Sequence, residues 1–285
     1  MTVVGFIVVS ICVFGGFLLE GGDIQVLIQP IEMLIICGAA GGSLLISSPM
    51  SEIKAIIHQS LHALTGNGKT KEEYTELLLL LFELIKTAKG NLLGLEAHVE
   101  NPEGSDIFKR YPGVLSNHHV IHFICDTLKV QISSPVSPYD LEDLMDADLN
   151  TTHHEEAIAP ATVTRIGDAM PGLGIVAAVL GVVITMGKLS QGKEVIGHSV
   201  AAALVGTFLG ILISYGYIQP LSAKMNTLLD EEGQFFKVTK AALLAFAKDA
   251  SPKVCVEFAR RTIPPEVRPS FTEIDEATTN AGKAA

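Results

Sequence analysis

Hydrophobic residues along the chain are concentrated in four segments that contain almost no charge. They cover residues 3–19, 26–47, 169–186 and 200–218, and the second contains one carboxylate, Glu32, near its start. Each segment has about the 17 to 25 residues that an α-helix needs to cross the hydrocarbon core of a bilayer. The pattern therefore predicts four transmembrane helices, arranged in two closely spaced pairs.

The chain between the second and third segments has the spacing of amphipathic helices, without the period-two alternation of strands. Thr70 and Glu73 fit a capping box that opens a long helix, and Gly90-Asn91 predicts a kink or break in it. Residues 118–130 have the pattern of a further helix. We therefore expect this part to be helical throughout.

Helical patterns continue toward the C-terminus. Ser137 and Asp140 are spaced to cap another helix, and residues 221–248 form a long amphipathic pattern. From Arg268 onward we expect a loose tail.

Lys and Arg residues indicate the orientation in the membrane. The loop at 20–25 has none and the loop at 188–197 has two, whereas residues 50–165 and the part after Pro220 have nine each. Cytoplasmic loops carry the excess of Lys and Arg. We therefore place both long parts and both termini in the cytoplasm, and both short loops outside.

These elements predict an all-α polytopic membrane protein, with four transmembrane helices in two hairpins and a helical cytoplasmic domain. The predicted segments are a first transmembrane hairpin at 1–49, a cytoplasmic helical domain at 50–165, a second transmembrane hairpin at 166–220, and a cytoplasmic C-terminal helix and tail at 221–285.

Composition agrees with a protein in the lipid bilayer and excludes several classes. Of 285 residues, 48% are hydrophobic and 18% are charged, compared with roughly 25% charged in an average soluble domain. The net charge of -11 argues against a nucleic-acid partner. The four cysteines are far apart, which argues against a disulfide scaffold or a cysteine-built zinc site.

Residues suited to catalysis or metal binding are sparse. His118 and His122 lie four apart on one helix face, but no third ligand stands at a telling spacing. His153-His154 precedes Pro160 at what we interpret as a helix end or loop. The sequence has no nucleophile elbow, phosphate-binding loop or dinucleotide fingerprint. We expect no enzyme, no metal site and no cofactor.

Small residues recur four apart in the second, third and fourth spans, the spacing that lets membrane helices approach closely. They are Gly38 and Gly42, Gly174 and Ala178, Ala177 and Gly181, and Gly206 and Gly210. The spacing fits packing within the chain, and equally a ring of subunits or a groove for a partner helix.

Two prolines flank the second hairpin. Pro171 is expected at the start of the third span with Asp168 as N-cap, and Pro220 at the end of the fourth span. Pro220 would leave the carbonyl of residue 216 without its usual donor. Both prolines would lie at similar depth at the cytoplasmic membrane face, either as helix punctuation or as a hinge beside a polar pore mouth.

The interiors of the first, third and fourth spans contain no Asp, Glu, Lys, Arg or His. Proton pumps and ion carriers normally keep such a group inside the membrane. The spans offer only the hydroxyls of Thr185, Thr207, Ser214 and Tyr215. If this chain conducts ions, the titrating carboxylate must therefore come from a partner.

Several longer motifs resemble one family, and they extend over nearly the whole chain. The most specific is GDAMPGLGIVAAVLGVV at 167–183, accompanied by LEAHVENP at 95–102, VGTFLGIL at 205–212 and VEFARR at 256–261. Together these motifs resemble the flagellar stator branch of the MotA/TolQ/ExbB proton-channel family.

The resemblance implies a flagellar motor stator in the bacterial inner membrane. Chains of this branch form a ring of five around two copies of MotB, a single-pass protein anchored to peptidoglycan. The membrane helix of MotB carries the aspartate that binds the ion, which fits the missing carboxylate here. Ion flow turns the ring, and its cytoplasmic domain pushes on the rotor protein FliG.

The resemblance also implies roles for single residues in the membrane. Pro171 and Pro220 match the two prolines that couple ion binding to movement. The other residues expected on the ion pathway are Ala178, Thr207, Thr185 and Tyr215.

The rotor-facing charged pair departs from the family pattern. Glu96 matches its acidic residue, whereas the basic position falls at Ala88. Either Lys89 takes over this role, or the chain relies on other charges, with Lys86 close by.

Ion choice and the alternatives follow from the same comparison. Sodium-type relatives carry a threonine where Ala178 stands, and sodium needs oxygen ligands. We therefore expect protons to be the transported ion in preference to sodium, although Thr207 remains as a hydroxyl on the fourth span.

The alternative function is a TolQ- or ExbB-like energiser of an outer-membrane process, but such relatives generally have three membrane helices. A membrane scaffold or membrane-bound enzyme is a third hypothesis.

Overall fold

The computed structural model describes residues 1–66, 68–134, 136–187 and 193–284, and every regular element in these ranges is a helix. The helices are α1 (Thr2–Leu19), α2 (Ile24–Leu27), α3 (Pro30–Ser47), α4 (Met50–Thr65), α5 (Lys71–Gly90), α6 (Leu92–Glu100), α7 (Pro112–Leu115), α8 (His118–Ser133), α9 (Pro138–Met186), α10 (Lys193–Ile211), α11 (Gln219–Ala247), α12 (Pro252–Thr262) and α13 (Phe271–Ala284). Short 3₁₀ turns lie at Pro102–Gly104 and Phe108–Arg110, and a π-helical turn at Leu212–Ile218 joins α10 to α11.

Four helical segments among the described residues are long and apolar enough to cross a membrane. α1 is the first, and α2 with α3 forms the second, over Ile24–Ser47. The third lies in α9, and the fourth lies in the continuous helix Ser199–Ala247. The predicted all-α architecture with four spans is confirmed.

The chain divides into two compact units. The membrane unit contains Met1–Asn67 and Glu156–Leu228, and the helical unit contains Gly68–Glu155 and Leu229–Ala285. α9 and α11 contribute residues to both. The predicted segment ends at residues 49, 165 and 220 are membrane boundaries, which contacts within a chain do not define, and they stay predictions.

The core of the helical unit is built around α5. Leu78, Leu81 and Ile85 are completely buried and pack in one cluster with residues of α6, α8, α11 and α12. The predicted capping box opens this helix: the Thr70 hydroxyl accepts from the N–H of Glu73 at 3.3 Å, and the Glu73 carboxylate accepts from the N–H of Thr70 at 2.7 Å. α5 ends at the predicted break after Gly90.

The C-terminal tail is helical, so the expectation of a loose tail is wrong. α13 begins with a second capping pair, in which the N–H of Ser270 donates to the Glu273 carboxylate at 2.7 Å and the N–H of Glu273 donates to the Ser270 hydroxyl at 3.3 Å. Ile274 is 5% exposed and joins the core of the helical unit. Burial of this face stabilises a short helix whose sequence is otherwise polar.

The helix that contains the third span does not begin near Pro171, which corrects the sequence expectation. α9 begins after Ser137, whose hydroxyl accepts from the N–H of Asp140 at 3.2 Å, and it continues to Met186. Pro171 therefore lies inside the helix, and Asp168 is not its N-cap. A second internal proline, Pro160, lies in the same helix.

The helix that contains the fourth span does not end at Pro220, which is a second correction. α10 passes into the π-helical turn over Leu212–Ile218, and α11 continues from Gln219. In this wider turn the N–H of Gln219 bonds to the carbonyl of Ser214, five residues earlier. A π-turn directly before Pro220 lets the helix pass a residue that has no N–H to donate.

A buried carboxylate organises the surface beside α5 in the helical unit. Glu83 is 5% exposed, and it accepts hydrogen bonds from the Tyr111 hydroxyl at 2.8 Å and from Arg110 Nη1 at 3.0 Å. Burial, and then the hydrogen bond to Glu83, raises the pKa of Tyr111 well above its usual value. Tyr111 therefore remains a hydroxyl donor across the physiological pH range.

Replacing Glu83 should destabilise the helical unit more than replacing an exposed carboxylate of the same helix. We expect Glu83→Ala to lower the free energy of unfolding by roughly 1–3 kcal/mol, because a buried hydroxyl and a guanidinium lose their acceptor. Glu72→Ala, on the exposed face of α5, is the matched control. Thermal unfolding of the purified full-length chain in detergent measures both, and equal losses would contradict the role of Glu83.

Candidate functional site

The two prolines singled out by the sequence lie at the same level of the membrane unit. Asp168, one turn before Pro171, accepts a hydrogen bond at 2.5 Å from the side-chain amide of Gln219, which directly precedes Pro220. Pro171 is half-buried and Pro220 is exposed. The structure thus brings the prolines together, one on each of two neighbouring helices.

A proline inside a helix leaves the carbonyl four residues earlier without its donor. For Pro171 this carbonyl belongs to Gly167, and it accepts a hydrogen bond from the hydroxyl of Ser214 at 2.7 Å. Ser214 is completely buried. Ser214 had no individual role among the expectations from sequence, because no local pattern connects residue 214 with a carbonyl 47 positions earlier.

The same compensation occurs at Pro160. The carbonyl of Glu156 accepts from the side-chain amide of Gln59 on α4 at 3.3 Å. The carbonyl of Pro160 itself accepts from the hydroxyls of Thr164 at 3.0 Å and Ser222 at 2.9 Å. α9 therefore continues through both prolines because polar side chains of neighbouring helices supply the donors that prolines lack.

α9 and α10 approach each other backbone to backbone. A Cβ atom at Gly174 would lie 2.8 Å from the carbonyl oxygen of Gly206, and one at Gly210 would lie 2.9 Å from Cα of Gly174. At Gly181 a Cβ atom would lie 2.8 Å from Cβ of Ala203. Any larger residue at these positions would force the helices apart, as expected for small residues between membrane helices.

The glycines of the second span have a different environment. A Cβ atom at Gly42 would meet no atom within 4 Å, and one at Gly38 would reach only Leu34 of its own helix at 4.0 Å. This face of α3 is open within the described chain. The role of Gly38 and Gly42 in helix packing stays a prediction.

The remaining residues assigned to the ion pathway lie at different depths of the second hairpin. Thr185 is completely buried, and its hydroxyl donates to the carbonyl of Gly181 in its own helix at 2.8 Å. Tyr215 is 66% exposed, whereas Ala178 and Thr207 are half-buried. About 21 Å of helix, at 1.5 Å per residue, separates Thr185 from Pro171, so these side chains do not form one cluster.

The residues assigned to the rotor contact belong to the helical unit. Glu96 is exposed on α6. Lys89 forms an ion pair with Asp249 and also donates to its backbone carbonyl at 3.1 Å, and this hydrogen-bonded pair lowers the pKa of the Asp249 carboxyl. Ala88 is 6% exposed and lies in the core. A charge at position 88 would therefore be buried, and Lys89 has a structural contact of its own.

Lys86 lies about one turn before Lys89 on α5. Together with Glu83, Thr87, Asn91 and Arg110 it lines an open cleft of about 320 Å³. Lys86 and Arg110 therefore place two basic groups at the C-terminal end of α5.

The histidines do not form a metal site in the described ranges. His118 and His122 are exposed on α8. His153-His154 lies inside α9 and not at a helix end, because the helix continues through Pro160. No group of three His, Cys, Asp or Glu side chains that could hold a metal ion occurs among the described residues.

Comparisons with known proteins identify the family. The family described as motility protein A N-terminal matches residues 3–91, and the MotA/TolQ/ExbB proton channel family matches residues 116–237. Motility protein A of Escherichia coli (strain K12) is 38% identical over 279 residues, which cover 97% of this chain and 94% of that protein.

The chain belongs to the motility protein A family. As a member it has the stator, proton-channel role in the flagellar motor that the sequence motifs indicated. A second relative, chemotaxis protein LafT of Vibrio parahaemolyticus, is 35% identical over 95% of this chain and 96% of its own length. The solved structure of C. jejuni MotAB has a TM-score of 0.78, at 19% identity over 95% of this chain and 98% of that chain, and supports the same fold.

Enlarging Gly210 should disrupt the second hairpin of this motility protein A relative. In Gly210→Ala the new methyl would lie 2.6 Å from the carbonyl oxygen of Met170, and we expect a loss of roughly 1–3 kcal/mol from overpacking. Gly197→Ala, where a Cβ atom would meet nothing within 4 Å, is the control. Thermal unfolding of the purified chains measures the difference, and a Gly210→Ala protein as stable as the control would contradict the contact.

Proposed function

We propose that this chain is a torque-generating stator subunit that forms a proton channel together with a MotB-like single-pass membrane partner. The observation that carries the proposal is the absence of Asp, Glu, Lys, Arg and His from the interiors of the first, third and fourth spans. The one carboxylate of the second span, Glu32, lies in the first turn of α3. A proton channel needs a titrating group within the membrane, and the partner supplies it.

The partner completes the channel. Its membrane helix carries a carboxylate that binds the ion, and this chain contributes the half-buried positions Ala178 and Thr207 beside it. The solved relative from C. jejuni is a MotAB complex, which supports a partner of this class. By likeness to the family, five copies of this chain surround two copies of the partner, which is anchored to peptidoglycan.

Pro171 and Pro220 couple ion binding to movement. They lie on neighbouring helices joined by the Asp168 and Gln219 side chains. Prolines weaken the regular hydrogen bonding of a helix and permit a bend. A change of charge at the partner's carboxylate therefore alters the bend at this level, and the ring turns.

Torque is passed to the rotor through charged residues of the helical unit. Glu96 is the acidic contact, and Lys86 and Lys89 are the candidate basic residues for the rotor protein FliG. Lys89 also pairs with Asp249 within the helical unit.

We further propose where the chain lies in the cell and which ion it transports. The chain lies in the bacterial inner membrane with both termini in the cytoplasm, because the helical unit contains most of the Lys and Arg. Protons are the transported ion, since Ala178 offers no hydroxyl to a sodium ion. Energy comes from ion flow, so no catalytic residue is assigned.

A TolQ- or ExbB-like energiser of an outer-membrane process is the second candidate, because one of the matched families includes those proteins. The match of residues 3–91 to the N-terminal part of motility protein A favours the stator.

The ion and the function are tested together by swimming. A motile strain without stators receives this chain with its MotB-like partner, and swimming speed is followed with and without sodium. We expect swimming without sodium that stops when the proton gradient is collapsed. Speed that follows sodium would overturn the choice of ion, and no swimming with the complex present in the membrane would favour the second candidate.

Pro171→Ala should abolish rotation while leaving the complex in the membrane. The new N–H would donate to the carbonyl of Gly167 and make the helix regular at this level. Pro252→Ala, at the first position of α12 where a missing N–H costs little, is the control and should swim normally. Immunoblots of membranes and swimming assays measure both, and loss of the Pro171→Ala complex from the membrane would make this proline structural.

Glu96→Lys should weaken engagement with the rotor without stopping ion conduction. The substitution reverses an exposed charge and should be most harmful at low ionic strength, where charges are screened least. Glu266→Lys makes the same change at an exposed position outside α6 and is the control. Motor torque measured in tethered cells decides, and torque that does not differ from the control would remove the electrostatic role.

A further inference from the structure

Three glycines spaced seven residues apart define one face of α9, the glycine face. Seven residues are nearly two helical turns, so the three positions lie on one side. A Cβ atom at each would lie within 3.1 Å of an atom of the facing helix. The pairs are Gly167 with Ile218, Gly174 with Gly206, and Gly181 with Ala203.

Ser214 joins the glycine face by a hydrogen bond. It lies one turn after Gly210, inside the π-helical turn, and it is completely buried. Its hydroxyl donates to the carbonyl of Gly167 at 2.7 Å. A serine side chain is short, so this bond forms only because the two backbones are close.

The carbonyl of Gly167 depends on this donor. Pro171 stands where the N–H for that carbonyl would be, and it has none. A buried polar group without a partner is costly, most of all within a membrane. Among the described residues, the Ser214 hydroxyl is the group that fills the position.

We propose that Ser214 is a positioning residue for Pro171: the Ser214 hydroxyl replaces the missing backbone donor and holds α9 against the neighbouring helix at this level. The inference rests on the proposed function, in which Pro171 couples ion binding to movement. Because the bond joins two helices, a change in the bend stretches or breaks it. The serine hydroxyl then has a second acceptor in its own helix, the carbonyl of Gly210 four residues earlier.

A double-mutant cycle tests the bond without relying on motility. The measurement is the Tm of the purified stator complex, for the native chain, Ser214→Ala, Pro171→Ala and both together. Ser214→Ala should lower the Tm by several degrees in the native background. In the Pro171→Ala background, where residue 171 donates its own N–H to Gly167, the same change should have little effect. Equal losses in both backgrounds would overturn the proposal, and so would no loss in the native background.

Two further variants test whether the change in Tm comes from the Ser214 hydroxyl itself. Thr239 is also completely buried, and its hydroxyl donates to the carbonyl of Phe235 at 3.1 Å. That carbonyl keeps the N–H of residue 239 as a partner, so Thr239→Val should lower the Tm less than Ser214→Ala. Ser214→Thr keeps the hydroxyl and should restore most of the Tm and of the swimming speed. A Ser214→Thr protein as impaired as Ser214→Ala would overturn the proposal even where Pro171→Ala does not assemble.

Swimming assays connect the bond to coupling. Ser214→Ala should reach the membrane in normal amount and swim at less than half the native speed, and swimming at native speed would overturn its positioning role. If Pro171→Ala itself swims normally, the proposed function of that proline fails, while the cycle still decides whether Ser214 replaces its donor.

Discussion

A carbonyl four residues before a proline in a helix loses its backbone donor and needs another one; within the membrane that donor must come from the protein, because lipid offers none. α9 contains two prolines and therefore two carbonyls that ordinary helix geometry leaves unsatisfied. Gln59 donates to one and Ser214 to the other. These two side-chain bonds allow a single 49-residue helix to carry both the third span and part of the helical unit.

The contact between α9 and α10 depends on the close approach of the two helix backbones. Lipid tails are as apolar as leucine side chains, so membrane helices gain little from burying apolar surface and rely on close packing and interhelical hydrogen bonds. The glycine face provides the close packing, and Ser214 and the Asp168 and Gln219 pair provide the hydrogen bonds. Because glycine leaves no side chain between the helices, the two backbones are in direct contact.

The sequence predicted those parts of the fold that depend on the length of apolar segments or on contacts between residues close in the chain. Four apolar segments of membrane length gave the four spans, and Thr70 with Glu73 and Ser137 with Asp140 gave two helix starts, since a cap involves residues three apart. The continuation of α9 through Pro171 was not predictable, because its donor is 47 positions away in the chain. The C-terminal helix was missed for a related reason: burial of Ile274 against the helical unit stabilises it, and local polarity hides this.

The candidate site shows the same division between local and distant constraints. The small residues were found from their spacing, and the prolines from their positions at the expected ends of the second hairpin. The contact of Lys89 with Asp249, in contrast, joins residues 160 positions apart. The hydroxyl of Ser214 was visible in the sequence, but only the structure gives it an acceptor.

We propose that this chain lines the ion channel and couples ion flow to rotation, and that the titrating group of the channel belongs to its partner. The most direct measurement is motor rotation in cells that carry this chain with either the native MotB-like partner or a partner whose membrane aspartate is replaced by asparagine, at equal amounts of complex in the membrane. We expect the motor to rotate when the partner carries the carboxylate and not to rotate when the partner carries asparagine. Rotation that persists with the asparagine partner would show that this chain carries the proton itself and would contradict the account.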